Sequence, residues 1–400
     1  PLSPRPDLRD MPCRLPTEIF EAILTEDSLS PADLARCCLV NRSFADLART
    51  RLYRDVTITK PQSMLTWSSE QTPEGMKMRT LRESRTCATC VRSLSIVSVD
   101  KWETPAARER LQSCISALLG HCLKLQSFHT SSTDTATHFL SSLTQTSTSR
   151  VLTGLSLPWC SIMWDLIRQQ PSLTTLVLYR EWSAMSTSTA SRGGPILCQL
   201  KTLDFADTGG SPNASDFQAL TQNSTTTLTA LRLRLPFKRR GEERLFYDLS
   251  LFQCLLHLRI TYNQAAFTEI CADIFATIGS CPRLSRLTLD TYNRGDSWPV
   301  TTLIDSMPAL PNLERLDLEP VTAWVPLTET DGSFLTAKYS SVRILGYPHS
   351  EFPRYWQDQD SVDAICAWCP AHGFEAVACG VPGDSLAEPL ELMPDFWDCR

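Results

Sequence analysis

Apolar residues recur along most of the chain in one pattern, LxxLxL, which repeats at a nearly constant spacing. Strict copies, with Phe or Ile allowed at the last position, lie at residues 152–157, 173–178, 200–205, 228–233, 255–260, 284–289 and 313–318. Looser copies lie at 91–96, 125–130 and 342–347. The fourth residues of the strict copies, which are 21 to 29 positions apart, are Leu155, Leu176, Leu203, Leu231, Leu258, Leu287 and Leu316. This period indicates an internal structural repeat.

Each copy predicts a short β-strand, because alternate side chains of a strand point to opposite faces and the two inner leucines therefore share one face. The segments between copies have the apolar spacing of helices, as Phe267, Ile270, Ile274 and Ile278 illustrate. A single strand and helix cannot bury their own apolar faces, whereas stacked neighbours form a continuous core with a parallel sheet. The pattern resembles the leucine-rich repeat family in an irregular version, which implies an α/β solenoid with the sheet on its concave side and helices on its convex side.

The first part of the chain has a different pattern, which predicts three short helices. Pro16 suits the first turn of a helix, and Ile19 and Ile23 lie on one apolar face of that helix. Ser30 is predicted to cap a second helix together with Asp33, in a capping box. The stretch NRSFADLA predicts the third helix. Because three short helices bury little apolar area, we expect them to lean on a partner or on the repeats beside them.

Three stretches of this block, LPTEIFEAIL, SPADLARCCLVNRSFADLA and RLYRDV, resemble the F-box family. Phe44 and Tyr53 stand where that family frequently has Trp, and both keep an aromatic ring. An F-box followed by irregular leucine-rich repeats is similar to the large fungal class of F-box proteins. The resemblance implies that the helices bind the Skp adaptor of a cullin-based (SCF-type) ubiquitin ligase, while the repeats select a client protein for ubiquitination.

The resemblance assigns a set of mostly apolar residues to adaptor binding. They are Leu15, Pro16, Glu18, Ile19, Ile23, Leu24, Leu34, Val40, Phe44 and Leu52. Two alternatives stay open. The block is only the N-terminal cap that a solenoid requires, or the chain is a repeat-based interaction scaffold or inhibitor with no link to a ubiquitin ligase.

These patterns divide the chain into five segments. They are an N-terminal tail (1–14), an F-box (15–59), a connector with one or two helices (60–90), the repeats (91–350) and an acidic tail that caps the last strand (351–400). The acidic tail has 10 acidic and 2 basic residues, which gives it a net charge of 2 − 10 = −8.

Composition narrows the classes of function. The net charge of −6 argues against a general nucleic-acid binder, because neutralising phosphates requires a basic surface. No apolar run reaches the length of about 18 residues that a membrane span needs, and no leader pattern is visible, so we expect a cytoplasmic or nuclear protein that does not bind membranes. None of the 6 histidines lies in a catalytic or paired-ligand motif. We therefore predict no enzymatic activity and no cofactor.

Charged residues flank the inner leucines of several copies and are predicted to face the concave side of the sheet. The candidate client-binding residues are Arg232, Arg234, His257, Arg259, Arg286 and Arg315. Asp290, Asp317 and Glu319 are expected beside the later members of this set. Because the strands of Arg232 and Arg259 contain no acidic residue, we expect this end to be left unpaired for an acidic or phosphorylated client segment. The alternative is a solvated face whose charges pair weakly across neighbouring strands.

A cysteine-rich stretch, CAWCPAHGFEAVAC, has a spacing that zinc sites use. Its possible ligands are Cys366, Cys369, His372 and Cys379. The alternative is that these thiols, like most of the 16 cysteines of the chain, are reduced core residues. We predict no metal and keep zinc at these four residues as the alternative.

Overall fold

The computed structural model describes most of the helices and strands and the turns between them. The described residues are 17–24, 29–40, 42–59, 73–97, 113, 115–130, 135–137, 139, 151–158, 162–179, 196–206, 214–234, 248–262, 275–291, 307–319, 329–348 and 359–379. The chain divides into two units. Unit 1 comprises Pro1–Gln126 with Gln145–Arg150, and unit 2 comprises Ser127–Thr144 with Val151–Arg400.

Unit 1 contains the three predicted helices, followed by a strand, two further helices and a second strand. Its described elements are α1 (Thr17–Leu24), α2 (Pro31–Cys37), α3 (Arg42–Leu52), β1 (Asp55–Thr59), α4 (Pro73–Glu83), α5 (Arg85–Cys90) and β2 (Ser93–Val97). The strands β1 and β2 are parallel, with Val56 opposite Leu94 and Ile58 opposite Ile96. These four side chains are buried, so one face of the strand pair supplies apolar core.

Unit 2 alternates strands with helices or turns. Its described elements are β3 (Ser127–Thr130), β4 (Gly154–Pro158), α6 (Ile162–Arg168), β5 (Thr175–Tyr179), β6 (Thr202–Ala206), α7 (Ala214–Thr221), β7 (Ala230–Arg234), β8 (His257–Tyr262), β9 (Arg286–Thr291), β10 (Arg315–Glu319), α8 (Glu329–Lys338), β11 (Ile344–Pro348), α9 (Gln359–Ala371) and β12 (Glu375–Cys379). From β3 to β12, each strand pairs in parallel with the next one along the chain. This is the mixed α/β repeat architecture that the sequence predicts.

The register of the sheet follows the repeat. The fourth residue of every LxxLxL copy lies opposite its counterpart in the next copy, and each of these residues is buried. The row is Leu155, Leu176, Leu203, Leu231, Leu258, Leu287 and Leu316. Because a strand has a side-chain period of two, this register places all the inner leucines on one face.

Hydrogen bonds at the turn before each strand fix the spacing between repeats. The carbonyl of Thr229 accepts the N–H groups of both Leu256 (2.9 Å) and His257 (3.0 Å). One repeat later, the carbonyl of Leu256 accepts the N–H groups of Ser285 (2.9 Å) and Arg286 (3.0 Å). The hydroxyl of Ser285 also donates to the carbonyl of Leu256. Each turn thus satisfies backbone groups that would otherwise be left without a partner at the start of a strand.

The repeats begin earlier and end later than the predicted limits of 91 and 350. The strand β1 precedes the first predicted strand, and its side chains are alternately exposed and buried, as in a half-buried strand. At the other end, β12 pairs with β11 inside the segment that was expected only to cap the sheet. The tail therefore contributes a further helix and strand, α9 and β12. The helices predicted in the connector are present as α4 and α5.

No helix in the described part of the chain is long and apolar enough to cross a membrane.

Candidate functional site

The helical cluster, which comprises α1, α2 and α3, has a small apolar core. Its buried residues are Leu24, Leu34 and Ala48. Partly buried side chains that pack against them come from Leu29, Cys37, Cys38, Phe44, Leu47 and Leu52. A core of this size leaves part of the apolar surface of the three helices uncovered.

Among the described residues of the helical cluster, four large apolar side chains are exposed. Ile19 and Ile23 are each 45% exposed, and they stand one helical turn apart on α1. Leu39 and Val40, which follow α2, are 87% and 64% exposed. We call these four residues the apolar face. Exposed apolar groups in this number favour association with another surface, because burying them removes their contact with water.

The capping box predicted at the start of α2 is confirmed. The hydroxyl of Ser30 accepts the backbone N–H of Asp33 (3.2 Å), and the carboxylate of Asp33 accepts the N–H (3.2 Å) and the O–H (2.6 Å) of Ser30. These bonds, first of all the one from the Ser30 side chain, lower the pKa of Asp33, and the charge of Arg36 acts in the same direction. The box fixes the first turn of α2 and so directs Leu34 into the core.

The helix α5 of the same unit contacts α3 of the helical cluster. The thiol of Cys90 lies 3.9 Å from the hydroxyl of Thr50. Burial raises the pKa of the Tyr53 hydroxyl, and the neighbouring side chain of Cys87 raises it further. Burial also raises the pKa of Cys38. Cys38 therefore stays a neutral thiol at physiological pH and contributes to packing.

The residues predicted to bind an adaptor fall into four groups. Glu18, Ile19, Ile23 and Val40 are exposed and available to another chain. Phe44 and Leu52 are partly buried against the core. Leu15 and Pro16 lie outside the described residues. The remaining two residues require a correction.

Leu24 and Leu34 are buried in the core of the helical cluster, so they are not placed to contact another chain directly. They act by holding the helices together. Conversely, Leu39 is the most exposed residue of the apolar face and was absent from the predicted set. The signal was the run CCLV, which continues the apolar sequence past the end of α2, where a side chain no longer follows the buried face of the helix.

The polar face of the sheet in unit 2 brings the predicted charged residues into three neighbouring rows. One row across β6–β10 consists of Asp204, Arg232, Arg259, Thr288 and Asp317. The row beside it consists of Thr202, Ala230, His257, Arg286 and Arg315. Arg234 lies opposite Thr261, and Asp290 lies opposite Glu319. The predicted placement in adjacent rows is confirmed, while the side chains of Arg234, Asp290 and Glu319 lie outside the described residues.

Asp317 organises the far end of these rows. Its two carboxylate oxygens accept hydrogen bonds from Nε of Arg286 and Nε of Arg315, both at 2.7 Å. The hydroxyl of Thr288 lies 3.0 Å from the oxygen that Arg286 contacts. Arg286 and Arg315 are only 2% and 1% exposed, and Asp317 is fully buried. Burial of two guanidinium groups is tolerable here because a carboxylate and a hydroxyl pair with them.

The other end of the rows departs from expectation. Arg232 and Arg259 are also buried, at 5% and 8% exposure, so the face is not a solvated surface. The carboxylate of Asp204 on the adjacent strand lies 3.8 Å from Nη1 of Arg232. The expectation that Arg232 is left unpaired is therefore wrong. Asp204 could have been found from the sequence, because it occupies the same position in LKTLDF that Arg232 occupies in LTALRL.

The cysteine-rich stretch folds as the end of α9 and the start of β12. Cys369 is buried, which raises the pKa of its thiol to about 12. The ring of His372 stacks on Trp368, with centroids 4.2 Å apart, and its Nδ1 lies 2.9 Å from the Trp368 carbonyl. Among the described residues, no three His, Cys, Asp or Glu side chains are grouped as a metal site would require.

Comparison with known proteins agrees with the geometry of the helical cluster. Residues 12–59 match the family model described as F-box-like. This confirms an F-box-like domain in the segment predicted as 15–59. No curated protein matches the chain. Among solved structures, the chain is similar to one described as the crystal structure of the Rad7 and Elc1 complex in yeast, with 12% sequence identity, a TM-score of 0.42, and coverage of 90% of this chain and 92% of that chain.

Proposed function

We propose that the chain is the substrate receptor of an SCF-type ubiquitin ligase. In this proposal, the F-box-like domain binds a Skp-family adaptor and through it a cullin, and the repeats hold a client protein in reach of the ligase. The chain itself performs no chemistry and needs no cofactor, and it acts in the cytoplasm or the nucleus.

The observation that carries the proposal is the apolar face within the F-box-like domain. Its four side chains retain about half or more of their surface in water. Full burial of one such side chain is worth roughly 1.5 to 3 kcal/mol, so covering what is still exposed on four of them yields several kcal/mol. Ile19 and Ile23 are held on a helix, so this part of the face binds without the loss of entropy that ordering a loop would require.

The repeats supply the client-binding part of the proposal. Unit 2 presents an extended sheet in constant register, a scaffold on which side chains of successive repeats line up. Arg232, Arg259, Arg286 and Arg315 remain candidate client contacts, and a client that uses them must displace or extend the ionic contacts to Asp204 and Asp317. A client that carries its own carboxylates or phosphates is suited to that exchange.

A second candidate function is a repeat-based scaffold without a ligase link, which the regular sheet alone would support equally well. Affinity capture separates the two. A tagged full-length chain, expressed in cells and recovered in buffer of moderate salt, is expected to carry a Skp-family adaptor and a cullin in stoichiometric amounts, as identified by mass spectrometry. Recovery of the chain with other proteins but without an adaptor would favour the scaffold.

A further inference from the structure

Three basic residues of unit 1 lie in neighbouring turns, at the end of the sheet where β1 and β2 begin. The carbonyl of Arg54 accepts the N–H groups of Arg92 (2.8 Å) and Ser93 (3.0 Å), and the carbonyl of Arg92 accepts the N–H of Gln126 (2.7 Å). The guanidinium of Arg92 donates from Nη1 to the carbonyl of Lys124 (3.2 Å). These contacts hold Arg54, Arg92 and Lys124 side by side. We call the three residues the basic edge.

The basic edge has little negative charge of its own. Arg54 faces Asp55 at 3.9 Å, and both side chains are largely exposed, so this pair is weak. For Arg92 and Lys124, the described residues supply no carboxylate partner. Adjacent strands are about 4.8 Å apart, and like charges at that separation repel each other. A bound anion would relieve this repulsion.

The fold does not need cations at these positions. Arg54 and Arg92 occupy the turn just before a strand, and the matching turn positions in unit 2 include Thr174, Thr229 and Ser285. There, the side-chain hydroxyl donates to the carbonyl of the preceding turn, at 3.1, 3.1 and 3.2 Å. The backbone bonds at the turn form with either kind of side chain. Two arginines in consecutive turns therefore point to a role in binding.

The matching turns of unit 2 also contain charged residues, but no two consecutive described turns there both carry a cation. Lys201 stands between the neutral residues Thr174 and Thr229, and Arg343 follows Glu314. In each case the neighbouring turn is neutral or of opposite charge. The pair in unit 1 is the place, within the described turns, where two cations stand next to each other.

We propose that the basic edge is a docking site for an acidic segment of another protein. Guanidinium groups match carboxylates in shape and donate two parallel hydrogen bonds. Three cations on neighbouring turns span roughly 10 Å, which fits the side chains of a few residues of extended peptide. Three cations neutralise only a few negative charges and the whole chain has a net charge of −6, so a short acidic segment fits this site better than a long polyanion such as a nucleic acid. The basic edge shares no residue with the apolar face.

Fluorescence anisotropy with the full-length chain tests this proposal directly. The probe is a short labelled peptide in which glutamate alternates with serine. We expect saturable binding at low salt that weakens as salt is added. The triple variant Arg54→Gln, Arg92→Gln and Lys124→Gln is expected to bind about tenfold more weakly. The matched control is Arg343→Gln, an exposed arginine at the equivalent turn before β11, which should bind as the wild type does.

Two results would overturn the proposal. One is equal affinity of the wild type and the triple variant for the peptide, including no binding by either. The other is tighter binding of a single-stranded oligonucleotide of the same charge, lost in the triple variant, which would identify a nucleic-acid site. Thermal unfolding of each variant checks its fold. If the triple variant is unstable, the single changes Arg54→Gln and Lys124→Gln, both at exposed positions, are each expected to weaken peptide binding severalfold.

Discussion

In the helical cluster, leucine, valine and isoleucine side chains remain exposed, whereas in strands β6–β10 of unit 2 even arginine and aspartate are buried. Three short helices do not have enough neighbours to enclose all their apolar surface, and they leave the apolar face in water. In the sheet, every strand from β6 to β10 has a neighbour on each side, and Arg232, Arg286 and Arg315 each lie beside a buried carboxylate. The comparison shows that the contact surface of this chain cannot be read from residue polarity alone.

The difference also separates two kinds of interaction energy. The apolar face gains free energy when a partner covers it, because water is released from it. The ionic rows have already lost most of their contact with water, so their charges stabilise the sheet only while each is paired. Removing one charge should therefore harm the fold, and removing one exposed apolar group should harm only binding.

The largest effect is expected from Asp317→Asn. The change removes the carboxylate charge that two buried arginines share, and breaking a buried ion pair in this way destabilises a protein by about 3 to 5 kcal/mol. Urea unfolding followed by circular dichroism measures the loss. Asp204→Asn is the matched control and should have a smaller effect, since Asp204 lies farther from Arg232, at 3.8 Å.

A triple replacement tests whether the network acts as a unit. Substituting Arg286→Met, Asp317→Leu and Arg315→Met removes the carboxylate and the two arginines that bind it together, so none of these three charges loses its partner. The stability of this variant should lie much closer to that of the wild type than the stability of Asp317→Asn does. A triple variant as unstable as Asp317→Asn would show that the ion pairs themselves stabilise the sheet. It would contradict the view that the loss in Asp317→Asn comes from leaving two buried arginines without a carboxylate.

The next effect compares two leucines in the helical cluster. Leu34→Ala removes a buried side chain from the small core and should destabilise the cluster by about 2 to 5 kcal/mol. Leu39→Ala changes an exposed side chain and should alter stability by no more than about 0.5 kcal/mol. Hydrogen exchange of the amides in α1–α3 reports both. Similar loss of protection in the two variants would contradict the division between core and apolar face.

A smaller effect than that of Leu34→Ala is expected from Ser30→Ala, which removes the capping box of α2. The loss of an N-cap serine costs about 0.5 to 2 kcal/mol. The same box makes stability depend on pH. Because the pKa of Asp33 is lowered in the folded chain, its contribution is complete above the unfolded value of 3.8 and is lost as the pH falls through the lowered folded value. The free energy of unfolding of Ser30→Ala should therefore depend less on pH in the acid range than that of the wild type. The same pH dependence in both proteins would mean that the capping box is not formed.

The fold was predictable wherever leucine marks the strand, and less so elsewhere. Seven strict copies of one pattern fix both the strands and their register, because only one alignment buries all the leucines. The strand β1 was missed because DVTIT carries its alternation on Val56 and Ile58 with no leucine. The strand β12 was missed because EAVAC places alanines where the other strands have large side chains. Both strands are recognised by their pairing with a neighbour, which a single sequence does not show.

The binding surfaces were harder to predict than the strands. The pattern placed Arg286 and Arg315 correctly on the polar face. It did not show that both side chains are buried and bind the carboxylate of Asp317. Whether an arginine there is exposed depends on what stands in the neighbouring row, and Asp317 and Asp204 enter only through the register. In the helical cluster, the helical period of the sequence distinguishes the buried side of α1 from its exposed side. Leu39 lies beyond the end of α2, where no helical period predicts the direction of its side chain.

The most direct test of the central claim is the affinity of the purified chain for a purified Skp-family adaptor. Isothermal titration of the full-length wild type should give a saturable one-to-one complex. The double variant Ile19→Glu and Ile23→Glu places charges on the exposed side of α1 and should weaken binding at least tenfold without loss of thermal stability. Leu197→Glu, at an apolar position in unit 2 that is more exposed than either isoleucine, should leave the affinity unchanged. An affinity that is the same in the wild type and the double variant would contradict the claim that the apolar face binds the adaptor.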